Sequence, residues 1–116
     1  MITIANVRDL PPPSEWKPWV VYVGRAAPRR GFKRSPLANP YNVGQWPTHS
    51  SMWPLGEDDV MYWYRVWLHR ASSVMKMIEM GHLRSLLKEH GRLTLVCWCA
   101  PKRCHAEVIR EVLDAE

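Results

Sequence analysis

Leu93-Thr94-Leu95-Val96-Cys97-Trp98, continued by Cys99-Ala100-Pro101-Lys102-Arg103-Cys104-His105, is the stretch that decides the fold. Its first six residues read as a short buried strand, and beyond it Val108, Ile109, Val112 and Leu113 recur at helical spacing. Pro101 breaks the loop between the two, so a strand-to-helix junction carries all three cysteines of the chain. Such junctions are where α/β proteins keep their reactive groups. On the strand, Cys97 and Cys99 point to one face and Trp98 to the other. Cys104 falls at the helix start, where unpaired N–H groups, the macrodipole and neighbouring Lys102 and Arg103 favour a thiolate. His105 is then a candidate base or acid, with Glu107 near the same helical face.

Three readings of these residues stand open. The cysteines are small core residues, since cysteine is among the most buried residue types. Alternatively, Cys104 and His105 are a catalytic or substrate-binding pair. The third reading is zinc, the one cofactor the pattern admits, held by Cys97, Cys99, Cys104 and His105. Against it, adjacent helical residues point about 100° apart, so Cys104 and His105 do not easily close on one ion. A disulfide framework is disfavoured by the odd number of cysteines.

Working outward, Trp19-Val20-Val21-Tyr22-Val23 is the strongest strand, and Gly24 ends it. Ile2 to Val7 alternates enough for another, before Pro11-Pro12-Pro13 forbids regular pairing. From 25 to 55 runs a long segment rich in basic residues and proline, and loops of this length are seldom idle in small domains. Gly56-Glu57-Asp58-Asp59 opens a helix with acids at its positive end, and Val60, Trp63, Tyr64 and Trp67 form its apolar stripe. A second helix spans about Ser73 to Lys88, with Val74, Met77, Ile78, Leu83, Leu86 and Leu87 apolar, Gly81 placed to split it and Gly91 placed to cap it. The expected architecture is one α/β domain over residues 1–116, with a small Rossmann-like, partly parallel sheet and packed helices.

If the strand of Tyr22 is parallel to that of Cys97, the loops after both emerge on one sheet edge and form one pocket. Tyr22, Gly24, Arg25, Ser35 and Asn39 then bind the ligand beside Cys99. Gly24 allows close backbone approach, Arg25 takes a phosphate, and Ser35 and Asn39 take the sugar or base. The bland reading is that Ser35-Pro36 and Asn39-Pro40 are turn formers and Arg25 a surface charge.

Composition narrows the field. A 47% hydrophobic fraction argues against disorder, and no apolar run approaches the ~20 residues of a membrane span. No leader pattern opens the chain, and thiols without one suit a reducing cytoplasm. The net charge of +5 is concentrated in Arg25, Arg29, Arg30, Lys33 and Arg34, with no acid between Gly24 and Asn39. That cluster faces phosphate or merely solvent.

Tyr22-Val23-Gly24-Arg25, Ser35-Pro36-Leu37-Ala38-Asn39-Pro40-Tyr41 and Cys97 to His105 together resemble an uncharacterised family of small phage and bacterial proteins with a domain of unknown function. Ala38 stands where that family has glycine, and Ala106 where a small residue is expected. The resemblance implies a phage or prophage source, hence the host cytoplasm, and its Cys-His ending is similar to that of another α/β family with a nucleotide-binding-like sheet. The expected function is binding of a nucleotide or other anion, with Cys104 and His105 reacting on nucleotides or nucleic acid. The alternative is a non-enzymatic phage factor that binds host protein or nucleic acid through the basic loop and tryptophans such as Trp46 and Trp53.

Overall fold

A computed structural model describes residues 1–41, 56–70, 73–98 and 104–115. Trp46, Trp53, Cys99, Pro101, Lys102 and Arg103 lie outside the described residues.

Three parallel strands form the sheet: β1 (Ile2–Asn6), β2 (Val20–Tyr22) and β3 (Leu93–Cys97). Their spatial order is β1-β3-β2, so β3 is central. Its pairing sets Asn6 opposite Cys97 and Tyr22 opposite Val96. The strand of Tyr22 and the strand of Cys97 are therefore parallel neighbours, and the loops that follow them leave the same edge. A bond from Val23 N–H to the Val96 carbonyl (3.0 Å) carries the pairing one residue past β2.

Alternation along β3 divides the two faces. Leu93, Leu95 and Cys97 are fully buried and join the core with side chains from all three α-helices, α1 (Glu57–His69), α2 (Val74–His90) and α3 (His105–Asp114). On the other side, Tyr22 stacks on Phe32 at 4.2 Å between ring centroids, Phe32 on Trp16 at 5.5 Å, and the Trp98 ring meets Phe32 edge-on. Helices thus cover one face, while the connector and the turn at Pro28–Arg30 bring aromatic rings to the other. No helix among the described residues is long and apolar enough to cross a membrane.

The helices depart from the sequence pattern in orientation. In α1 the buried side chains are Val60, Met61, Tyr64 and Leu68, and Trp63 and Trp67 are only half-buried. In α2 the inward face is Lys76, Met80 and Leu83, while Val74, Met77 and Ile78 are exposed at 72%, 58% and 59%. Periodicity predicts an apolar face along the whole of α2; the inward face is instead the row Lys76, Met80, Leu83 at i, i+4 and i+7, which leaves Val74, Met77 and Ile78 on the outer side. Gly81 does not split the helix. Its cost of about 1 kcal/mol is outweighed by the burial of Met80 and Leu83 on either side. Gly91, left-handed at φ 70°, caps α2 as its position predicts.

Leu83→Ala is expected to cost about 2–5 kcal/mol and Ile78→Ala less than about 0.5 kcal/mol, read from urea unfolding. Equal losses would mean that α2 is rotated from the face described.

Candidate functional site

Cys104 is the residue on which the junction turns into a helix. Its backbone is extended (φ −138°, ψ 149°), and its N–H donates to the Glu107 carboxylate at 3.0 Å. That conformation corrects the expectation that Cys104 and His105 point apart. The 100° separation holds only for two helical residues, and Cys104 is the non-helical cap. Its Sγ lies 3.4 Å from His105 Nδ1.

The other imidazole nitrogen is fixed from across the sheet. His105 Nε2 is 2.6 Å from the Val23 carbonyl. A carbonyl only accepts, so Nε2 carries the proton, and in the neutral ring Nδ1 is left as an acceptor facing the Cys104 sulfur. Burial holds the His105 pKa below the usual histidine value. The bond to Val23 and the proximity of Cys97 oppose that shift, and the Arg25 charge adds to it. Both Cys104 and His105 are buried, at 1% and 7% exposure. The ring also takes the edge of Tyr64 at 5.2 Å between centroids.

Spacing along α1 makes Tyr64 an apolar core residue, and the structure adds a polar role. Its hydroxyl donates to the Leu37 carbonyl at 2.6 Å, which ties α1 to the 35–41 segment. Burial, and secondarily the nearness of Cys104, push its pKa far upward, so it remains a phenol. The signal available in the sequence was chemical: a tyrosine on a core stripe needs a hydrogen-bond partner.

The other expected ligand residues gather at the same edge, with side chains turned to the backbone. Exposed Arg25 donates from Nε to the Asn39 carbonyl (3.0 Å) and from Nη2 to the Tyr41 carbonyl (2.6 Å). Ser35 Oγ accepts from Leu37 N–H (3.1 Å), and Asn39 Oδ1 from Tyr41 N–H (2.9 Å). Both side chains are buried and form the local turns typical of Ser and Asn. Ser35 N–H donates to the Gly24 carbonyl at 3.0 Å, which brings the two loops into register. Gly24 sits under the Tyr22 ring: a Cβ there would lie 2.5 Å from the Tyr22 hydroxyl. That hydroxyl accepts from Trp98 Nε1 (2.8 Å) and donates to the Arg25 carbonyl, so the ring has little freedom to yield.

Cys97 is fully buried under the pair. Among the described residues no three side chains of metal-ligand type are gathered to hold an ion, and Cys99, the fourth residue of the zinc pattern, lies outside them. The segment after β2 reaches the Cys-His contact directly, through the Val23 carbonyl, and the 35–41 segment reaches it through Tyr64, which holds the Leu37 carbonyl and lies against the His105 ring.

A family model for a domain of unknown function, DUF4326, matches residues 13–115. The chain belongs to the DUF4326 family. Comparison with curated proteins and with solved structures finds no match. The matched span takes in β2, the 35–41 segment, β3 and α3, so every residue of the Cys-His site lies within the DUF4326 domain.

The depressed pKa of His105 has a consequence for stability. Below the ordinary value of 6.5 the unfolded chain takes up a proton that the folded ring resists. This contribution is full above pH 6.5 and falls as the pH drops below it. Urea unfolding between about pH 8 and pH 5 is expected to show that decline in the wild type and a shallower one in His105→Gln, which keeps a donor for Val23 but does not titrate. Parallel pH profiles would remove His105 from the buried, neutral state described.

Proposed function

We propose that this DUF4326 protein binds a nucleotide, or a comparable phosphate-bearing anion, at the carboxyl edge of the sheet and acts on it through Cys104 and His105. The observation that carries the reading is the Cys104 Sγ to His105 Nδ1 contact at 3.4 Å, held from behind by the Val23 carbonyl. Nucleophile, base and orienting group in line form the arrangement by which a thiol is activated. Burial keeps His105 neutral near pH 7, and so able to take the thiol proton at Nδ1. Hydrolysis or transfer at the phosphate or glycosidic bond is the reaction class that suits a nucleophile beside a phosphate site.

Arg25 is the anion-holding group. Its side chain is exposed while its charge is felt at His105, so a phosphate on the guanidinium lies within electrostatic reach of the pair. The start of α3 contributes less than its position suggests, because the Glu107 carboxylate already occupies the Cys104 N–H.

A second reading, a non-enzymatic factor that binds nucleic acid or host protein, has its own support in the basic turn. The Ala27–Phe32 bridge and the left-handed Gly31 fix Arg29 and Arg30, and the Arg30 guanidinium stands 5.5 Å over the Trp98 ring.

Calorimetric titration with AMP and ADP separates the readings. The pocket reading expects saturable binding, weakened about tenfold or more, or at least 1.4 kcal/mol, by Arg25→Gln with the far-UV spectrum preserved. It also expects Cys104→Ser to bind nucleotide and to lose any turnover of it. No heat with either nucleotide, together with steeply salt-dependent binding of a single-stranded oligonucleotide, would overturn it in favour of the second reading.

A further inference from the structure

The segment between Gly24 and Ser35 is an anchored turn. Ser35 N–H bonds the Gly24 carbonyl and closes its neck, Ala27 and Phe32 exchange backbone bonds of 2.9 and 3.1 Å, and Gly31 turns the chain at φ 80°. Phe32, only 8% exposed, pins the turn to the sheet through the Trp16, Tyr22 and Trp98 rings. What the turn presents to solvent is charge. Arg29, Arg30, Lys33 and Arg34 are all exposed, and no acidic residue lies between Gly24 and Asn39. Packing requires Phe32, but it does not require four cations around it whose mutual repulsion the fold must bear.

Trp98 stands beside these cations. It follows β3 directly and is half-buried, and the Arg30 guanidinium lies 5.5 Å over its ring. An exposed cation at that distance is a weak contact, which a base with its larger flat face replaces. Trp98 Nε1 bonds the Tyr22 hydroxyl and that hydroxyl bonds the Arg25 carbonyl, so the indole is fixed next to Arg25. The sheet face that these rings border is open beyond them. Thr3 is exposed and its neighbour Thr94 half-buried, in a parallel sheet, a kind ordinarily covered on both faces.

We propose that the basic turn and the Trp98 ring bind single-stranded nucleic acid, with a base stacked on Trp98 and the neighbouring phosphates along Arg29, Arg30, Lys33 and Arg34. Combined with the nucleotide reading of the Cys-His site, on which this step rests, the nucleotide held at Arg25 is the end of a strand rather than a free mononucleotide. An acidic peptide meets the cations but has nothing to stack, and in a duplex the bases are already stacked on one another.

Calorimetric titration of the whole chain tests this with four probes: a 5′-phosphorylated RNA dodecamer without self-complementarity, its duplex, a dodecaglutamate peptide and AMP. The single strand is expected to bind at least about tenfold more tightly than each of the others. Its affinity is expected to fall about tenfold or more between ~50 and ~200 mM salt, as when about three phosphates are neutralised. Arg29→Glu combined with Arg30→Glu is expected to remove the strand's advantage at an unchanged melting temperature. The Trp98 indole N–H signal, assigned with Trp98→Phe, is expected to move when the strand binds. A strand no tighter than AMP would overturn the proposal and spare the pocket reading. A duplex or peptide equal to the strand, a double variant that binds as the wild type, or an unmoved Trp98 signal would also overturn it. A tight strand lost in the double variant, with no AMP bound, would uphold the surface and overturn the pocket reading.

Discussion

The hydrogen bond between His105 Nε2 and the Val23 carbonyl joins the first turn of α3 to the end of β2, across the central strand. Four other features depend on it. It selects the imidazole tautomer, turns Nδ1 to Cys104, seats the ring against Tyr64, and gives a buried polar ring one of the two partners it requires. Tyr64 in turn holds the Leu37 carbonyl, and Arg25 holds those of Asn39 and Tyr41. The buried Val23 and Leu37 carbonyls thus have side-chain partners, and Arg25 ties the 39–41 backbone to the same edge of the sheet.

This economy bears on function. A buried thiol against a neutral, oriented imidazole is costly as mere packing, since an apolar pair of similar volume would fill the space without two polar desolvations. The proposed chemistry gives that arrangement a reason. Ser35 and Asn39 bond local N–H groups and Arg25 bonds the Asn39 and Tyr41 carbonyls, so all three shape the loop, and Arg25 differs from the other two in being exposed and charged.

Much of this was legible in the sequence. Dense β-branched and aromatic residues in Trp19–Val23 and Leu93–Trp98 mark both segments as strands, whereas their parallel pairing, a condition of the one-pocket reading, is seen only in the register of β2 on β3. The cysteine-rich junction was legible as the end of a strand followed by the start of a helix, which are β3 and α3. The Cys104–His105 geometry was not. It turns on one extended residue at the cap, a conformation that helical periodicity treats as its opposite, and on a carbonyl 82 residues distant. The outer residues of α2 were illegible for a related reason: Val74, Met77 and Ile78 have helical spacing, and spacing alone does not say which side of a helix the core takes. Lys76, polar by type, is buried through Trp67, a contact that composition does not reveal.

The central claim is that Val23 fixes His105 as a neutral ring protonated at Nε2, with Nδ1 facing the Cys104 sulfur. Long-range nitrogen-15 NMR of the imidazole at neutral pH, in the wild type and in Cys104→Ala, tests it most directly. The account predicts an Nε2–H tautomer in both proteins and a changed Nδ1 shift when the sulfur is removed. A ring protonated at Nδ1, or one whose Nδ1 shift ignores the loss of Cys104, would contradict it.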